Sequence, residues 1–268
     1  MSTIDRPPHN ISPSGQEPIA AKISAISQGK GNSAGVVGLS AIIQHADPAS
    51  VPFCVGDEVY GVASGSDPFL EGAVYDLDSN RLARKPHGLN PIQSADLAAS
   101  AVVAWLVLFE CLELPIDIDD QPILIDVSDT PTGTMVAKLL QAVTKARLIL
   151  FQRSTPRSNS LVRPGMDSVL CSVNDLYEGV KTGRTKLPRF VVLASRDASD
   201  LGALKASDIA TFYQSQEGLG ALRLVNIVWA EFQHWKLITD SRYSIADVLT
   251  EIALLVDVGR LDLSNQST

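Results

Sequence analysis

The pattern of apolar and polar residues changes near residue 90. Between residues 19 and 86 the apolar runs are short and are broken by Gly, Pro and Asp, as in AGVVGLSAIIQ, DEVYGVAS and GAVYDLD. Short runs separated by turn residues predict the strands of a small β unit. Gly56-Asp57 supplies a turn directly before the β-prone pair Val59-Tyr60. Residues 1–18, rich in Pro, Ser and other polar residues, are predicted to form a flexible tail.

From Pro91 onward the apolar segments are longer. Residues 93–113 have the composition of a helix, and PILIDV at 122–127 is a continuous apolar run, typical of a strand covered on both faces. Strands are also predicted at 146–151, 167–171, 189–195, 209–213 and 224–229, and helices at 134–144, 173–182 and 244–258. Strands that alternate with helices predict a doubly wound parallel sheet of the α/β class.

Composition excludes several classes of protein. The 268 residues are 45% hydrophobic, which is enough for a real core and excludes global disorder. The net charge of −8 argues against binding to a nucleic-acid backbone, because no basic face is available. Cys54, Cys111 and Cys171 have no paired spacing, so neither disulfides nor a metal motif is expected. A reduced, cytoplasmic compartment fits this pattern best.

The most apolar segment, residues 97–114, is predicted to be a buried helix. Asp96, Glu110 and Glu113 bound or interrupt it, and it is shorter than the roughly 20 apolar residues that a membrane span needs. The N-terminal residues lack the order of a secretory signal. The four histidines are scattered, so no zinc site is expected, and no nucleophile and base can be paired by spacing.

The candidate site begins at VSDTPTGT, residues 127–134, after the first strand of the parallel sheet. A dinucleotide fold places glycines in this turn so that the pyrophosphate can approach, but only Gly133 is present. Asp129 adds negative charge where phosphates would lie. Three hydroxyls and the amides of a helix starting near Thr134 could still bind an anion, the hydroxyls being those of Thr130, Thr132 and Thr134. The alternative is an ordinary loop between a strand and a helix.

A second candidate segment lies after the next strand. An acid about 20 positions beyond the turn binds the ribose hydroxyl in NAD-binding folds, and an Arg replaces it where the 2′-phosphate is bound. Here Arg153 stands at that spacing, with Ser154 and Arg157 close by and no acid among them. An Arg beside a hydroxyl suits a phosphomonoester, which predicts NADP(H) rather than NAD. The alternative is a solvated basic loop.

The order of several segments resembles a known family. These segments are AGVV (34–37), VGDEVYG (55–61), GAVYDLDSNRLARKP (72–86), SADLAASAVVAWLVLFE (94–110), ILIDV with GT (123–134), GMDSVLC (165–171), ALRLVNIVWAEF (221–232) and ADVLTEIALLVDVGRL (246–261). Over residues 30–262 the chain resembles the medium-chain dehydrogenase/reductase superfamily. The resemblance is closest to its zinc-type alcohol dehydrogenase-like and quinone oxidoreductase branch.

This resemblance implies a fold and an activity. The fold would be α/β, with a Rossmann-like doubly wound sheet over residues 91–262 and a partial chaperonin-like β-barrel domain, of the catalytic type, over 19–90. In this branch NADPH delivers hydride to an enone, quinone or carbonyl compound, usually without zinc. Cofactor contacts carried over by position are Ser100 beside the nicotinamide, Gly133 in the phosphate turn, Arg153 and Ser154 at the 2′-phosphate, and Ser195 and Tyr213 at strand ends. For the last two, capping of a strand end is the alternative.

The sequence also departs from the family pattern. The barrel segment is short at its front, and the segment that would return to close the barrel is missing. We therefore expect Val59, Tyr60, Val74 and Tyr75 to lack cover, and the chain to be oligomeric through this half or marginally stable. The resemblance separately implies a homodimer, because many relatives pair through their nucleotide-binding sheets. Two interpretations follow: a weakly active NADPH-dependent oxidoreductase of a small molecule, or a catalytically degenerate relative that acts as a binding or interaction protein.

Overall fold

The computed structural model describes residues 19–27, 36–47, 49, 51–64, 69–115, 119–126, 131–151, 166–170, 173–184, 186–193, 206–215, 222–226, 236 and 238–263. Within these residues the strands form two five-stranded sheets, one antiparallel and one parallel. The predicted α/β class with a parallel sheet is confirmed.

The antiparallel sheet lies within residues 19–84. It contains β1 (Ile19–Ile26), β2 (Val36–His45), β3 (Glu58–Ser64), β4 (Val74–Leu77) and β5 (Leu82–Arg84), in the order β4-β1-β2-β3-β5. Alternate residues of β1 are buried, as the two-residue period of a strand requires. They pack with β2, β3 and the loop between them in a core that includes Ile23, Ile43, Phe53 and Val59.

The parallel sheet follows and contains β6 (Asp119–Asp126), β7 (Lys145–Phe151), β8 (Met166–Leu170), β9 (Phe190–Leu193) and β10 (Arg223–Asn226). The helices are α1 (Pro91–Leu106, with π-helical Val107–Cys111), α2 (Pro131–Val143), α3 (Val173–Lys181), α4 (Ala206–Ser215) and α5 (Ile245–Asp257). The strand order β10-β9-β6-β7-β8 is that of a doubly wound sheet.

Helices cover both faces of this sheet. Ile123 and Ile125 of β6 belong to a core that contains residues of α1, α2 and α5. Leu124, between them in sequence, belongs to the opposite core, which contains residues of α3 and α4. Both faces of β6 are therefore buried, which explains why PILID is a continuous apolar run.

Helix α1 packs against both sheets. Its first residue is Pro91, and Asn90 and Gln93 form a reciprocal capping box that fixes this start. At Gly38 of β2 an added Cβ would lie only 1.9 Å from the carbonyl oxygen of Ala95, so the helix and strand backbones are in direct contact. Among the described residues, Pro91–Cys111 is the helical stretch long and apolar enough to cross a membrane, yet 78% of its apolar window is buried inside the protein. It is a core helix.

Helix α5 joins the antiparallel sheet to the same core. The Tyr60 hydroxyl donates a 2.5 Å hydrogen bond to the Leu249 carbonyl, and the His87 amide donates to Asp257 at 2.7 Å. Val59 and Tyr60 are both fully buried, so the expectation that they lack cover is wrong. Of the other two, Val74 is 56% exposed and Tyr75 is half-buried.

One predicted strand is also wrong. Residues 209–213 lie in α4, where Ile209, Phe212 and Tyr213 are buried together against the parallel sheet. Their spacing of three and four residues is that of one helix face, whereas the β-prone composition of IATFY favoured a strand. The period, and not the residue types, decided the local structure.

Candidate functional site

The candidate site lies at the carboxyl ends of the parallel strands. The described strands β6, β7 and β9 end at Asp126, Phe151 and Leu193. The chain passes from β6 to β7 on one side, and later enters β9 on the other side of β6. A sheet of this kind binds ligands at such a switch point, where the strand order reverses.

Helix α2 points its N-terminus at this edge. It begins at Pro131, three residues before the predicted start near Thr134. Proline is favoured at the first helical position because its fixed φ suits the helix and its missing N–H would have no helical partner. Thr132 and Gly133 are buried and Thr134 is half-buried, so three of the predicted contact residues share the first turn. Amides of a first turn attract anions.

Asp126 is a site residue that the sequence analysis missed. It is the last residue of β6, it is 0% exposed, and Lys138 in α2 is a second buried charged residue at 7% exposed. Both residues take part in interactions within the fold. Burying a carboxylate is costly unless it is compensated, so a buried acid at the end of β6 is a specific feature of this candidate site. The signal that could have identified Asp126 from the sequence is an acidic residue at the end of an apolar strand.

Two predicted contact residues use their hydroxyl groups elsewhere. Ser100 is 7% exposed, and its hydroxyl donates to the Asp96 carbonyl of the same helix at 2.8 Å. Tyr213 is 1% exposed and donates to the Pro188 carbonyl. Burial raises the pKa of the Tyr213 phenol, so this group stays protonated. Tyr213 lies in a helix and not at a strand end, so that part of its prediction is wrong.

The remaining predicted residues lie outside the described part of the chain. They are Thr130, Arg153, Ser154, Arg157 and Ser195. Their assignment to the cofactor stays a prediction. Among the residues that the structure describes, no group of three or more His, Cys, Asp or Glu side chains could hold a metal ion.

Comparison with known proteins places the fold. No family model matches the sequence, and no curated protein sequence matches it. Solved structures do match. A putative zinc-dependent alcohol dehydrogenase of Rhizobium etli has a TM-score of 0.67 at 16% identity, covering 91% of this chain and 79% of that one. An alcohol dehydrogenase superfamily protein of Novosphingobium aromaticivorans has a TM-score of 0.66 at 18% identity, with 92% and 81% covered.

A third similar structure carries a nucleotide. The quinone oxidoreductase of Escherichia coli, in complex with NADPH, has a TM-score of 0.61 at 14% identity, with 98% of this chain and 86% of that chain covered. Together these matches show that the chain has the fold of these alcohol dehydrogenase-like and quinone oxidoreductase structures. The predicted resemblance is confirmed at the level of fold.

Proposed function

We propose that this chain is an oxidoreductase that binds NADP(H) and reduces a small enone, quinone or carbonyl compound. The observation that carries the proposal is the N-terminus of α2 at the switch point beside β6. The first turn of a helix is a ready-made anion site, and in this fold a dinucleotide pyrophosphate occupies it. The similar quinone oxidoreductase of Escherichia coli was solved with NADPH.

The described residues fit a pyrophosphate, with fewer donors than a glycine-rich turn has. The amides of Thr132, Gly133 and Thr134 lie in the first turn, and Gly133 has no Cβ to hold a phosphate away. Pro131 has no N–H to give, and Asp126 brings a carboxylate beside the same turn. We therefore expect weak binding, and an ordinary sub-micromolar affinity would contradict this account of the turn.

The preference for NADPH rests on the sequence after β7. Arg153 and Ser154 follow Phe151, the last residue of that strand, and neighbouring parallel strands end at the same edge of a sheet. A guanidinium and a hydroxyl are the groups expected around a 2′-phosphate. When bound, the dinucleotide supplies the hydride; the chain's residues hold its phosphates and keep the parallel sheet in place beneath it.

A second function is favoured by one observation. Asp126 and Pro131 both weaken the anion site that the fold offers, and no catalytic side chain is assigned. A descendant of such enzymes that has lost turnover and serves as a binding protein would have these features, because fold does not fix function. In either case a reduced, cytoplasmic-type compartment is part of the proposal, since Cys54 and Cys111 are free thiols.

A nucleotide titration tests the proposal. Purified protein is titrated with NADPH and with NADH, and binding is followed by nicotinamide fluorescence. We expect NADPH to bind more tightly, and Arg153→Ala to weaken NADPH by about 1.5–3 kcal/mol, the cost of a hydrogen bond to a charged group, with little change for NADH.

The matched control is Arg184→Ala. Arg184 is an exposed arginine in the turn after α3, and its Nε donates to the Thr182 hydroxyl at 2.9 Å. Its loss should change neither affinity. Equal weakening of NADPH and NADH by Arg153→Ala would remove the 2′-phosphate assignment. Absence of binding to either nucleotide would reject the enzyme and leave the binding protein.

A further inference from the structure

Helix α5 has an outer face with an unusual composition. Its inner face is in the core through Ile245, Val248, Leu249, Ile252 and Leu255. Residues 247, 251, 254 and 258 lie at helical spacing on the opposite side. Two of them are large and apolar, Leu254 at 54% exposed and Val258 at 58% exposed. A solvent-facing helix normally carries polar side chains at such positions.

The charges on this face have one sign. Asp247, Glu251 and Asp257 are exposed, and α5 contains no Lys, Arg or His. Both carboxylate oxygens of Asp257 contact His87, the first accepting from its amide at 2.7 Å and the second lying 3.0 Å from its ring Nδ1. Arg260 is a base in the turn that follows. The face is therefore acidic with an apolar centre.

A groove lies at the end of the helix, on the side of Val256, which packs against the core. Gly259, with a φ of +71°, reverses the chain, so that the amide of Leu261 donates back to the Leu255 carbonyl at 2.9 Å. This reversal opens a cavity of about 360 Å³. Its apolar lining comes from Leu89, Val256, Leu261 and Leu263. Ile92, next to the lining residue Gln93, is 63% exposed.

The exposed side of α5 forms what we call the α5 surface: Asp247, Glu251, Leu254, Asp257 and Val258. Two of the six most exposed large apolar side chains in the described part of the chain lie on it: Leu254 and Val258. Exposed apolar residues grouped within a polar rim mark an interaction site.

We propose that the α5 surface docks a basic amphipathic helix of another protein. Apolar side chains of that helix would cover Leu254 and Val258, and its Lys or Arg residues would face Asp247 and Glu251. Charge decides against a second copy of this chain. A symmetric contact would set the same acidic patch against itself, which is repulsive.

A designed peptide tests the docking. The probe is a fluorescently labelled synthetic helix of Leu and Lys, with Leu at positions i, i+3, i+4 and i+7. Its counterpart has Glu in place of every Lys. Fluorescence anisotropy with the full chain should show saturable binding of the basic peptide, weakened by added salt, and no binding of the acidic one.

Two variants assign the binding to this surface. Leu254→Gln with Val258→Gln removes the apolar centre, and Glu251→Gln removes one charge; these side chains are exposed, so the fold is retained. We expect the double variant to weaken binding at least roughly tenfold, as loss of a central apolar contact does. The matched controls are Val55→Gln with Val74→Gln, which are 65% and 56% exposed on the antiparallel half, and Glu178→Gln on α3.

Each outcome decides the proposal. Selective weakening by the α5 variants supports it. Absence of binding, equal binding of the acidic peptide, or equal weakening by the control variants overturns it. Sedimentation of the chain alone tests whether a second copy of this chain occupies the α5 surface. A dimer that the double variant Leu254→Gln with Val258→Gln converts to a monomer would also overturn the proposal.

Discussion

Two regions of the molecule are built from different kinds of interaction. One is the contact of the antiparallel sheet with α1 and α5, and the other is the carboxyl edge of the parallel sheet. At the first region backbone meets backbone, with a Cβ on Gly38 placed 1.9 Å from the Ala95 oxygen. A buried phenol, Tyr60, fixes α5 to β3. At the second region Asp126 is a fully buried acid, and Pro131 stands in the first turn of α2.

This difference shows which properties of the fold tolerate change. A close backbone approach leaves no room for another residue, so the packing of α1 on β2 depends on one glycine. The crevice is different, because the strands beneath it are held by their own apolar faces whatever the turn contains. The framework of the parallel sheet is therefore retained here, whereas the proposed phosphate site, residues 127–134, contains one glycine, Gly133.

The largest expected effect is at the backbone contact. Gly38→Val places methyl groups inside the Ala95 backbone, so α1 must move and its core contacts with both sheets are lost. We expect a loss in the free energy of unfolding of more than about 3 kcal/mol, measured by urea denaturation. Gly183→Ala is the comparison, because Gly183 has a φ of +71° and open space around it. Backbone strain alone should cost about 1–2 kcal/mol there. Equal losses would show that the contact is not tight.

A smaller effect is expected at the crevice, on affinity and not on stability. Thr134→Asp adds a negative charge to the first turn of α2. This charge interacts favourably with the helix dipole but repels a phosphate. NADPH affinity should fall roughly tenfold or more, which is about 1.4 kcal/mol, with an unchanged melting temperature. Asn174→Asp makes a similar charge change in the exposed first turn of α3 and should leave affinity alone. Unaltered NADPH binding in Thr134→Asp would place the pyrophosphate elsewhere.

The stability of the fold should depend on pH through the buried phenol of Tyr60. Burial, and next the charge of Asp257, raise the pKa of Tyr60 above its ordinary 10.0. Above pH 10 the unfolded state loses this proton while the folded state keeps it, so stability is complete below pH 10 and falls as pH rises, by about 1.4 kcal/mol per pH unit. Tyr60→Phe should cost about 1 kcal/mol near pH 8, from the lost hydrogen bond to Leu249, and this cost should shrink above pH 10.

The smallest expected effect tests whether Tyr213 contacts the cofactor. Tyr213→Phe should lower stability near pH 8 by about 1 kcal/mol, since its hydroxyl donates to the Pro188 carbonyl. It should leave NADPH affinity unchanged, in titrations beside the wild type. A selective loss of NADPH binding would restore the contact that the sequence predicted.

For Tyr60→Phe, a loss of stability that persists above pH 10 would mean that the buried phenol does not resist ionisation.

Much of the fold could be read from the sequence where the period of apolar residues was unambiguous. The run PILID was predicted to be covered on both faces, and β6 is, because adjacent side chains of a strand point to opposite faces. Helix α2 begins three residues before the predicted Thr134, because proline is favoured at the first helical position. IATFY has the composition of a strand, but its buried residues have helical spacing and lie in α4.

The sequence by itself determined the α/β class, the parallel sheet and the single glycine in residues 127–134, because these depend on local period and on residue type. Only the tertiary structure decided that Val59 and Tyr60 are covered and that the Tyr213 hydroxyl donates to the Pro188 carbonyl. Tyr60 and Leu249 are 189 positions apart, and no local pattern predicts that a helix so distant will meet β3. Burial of Asp126 is of the same kind, since the solvation of a charge is set by whatever else the chain packs around it.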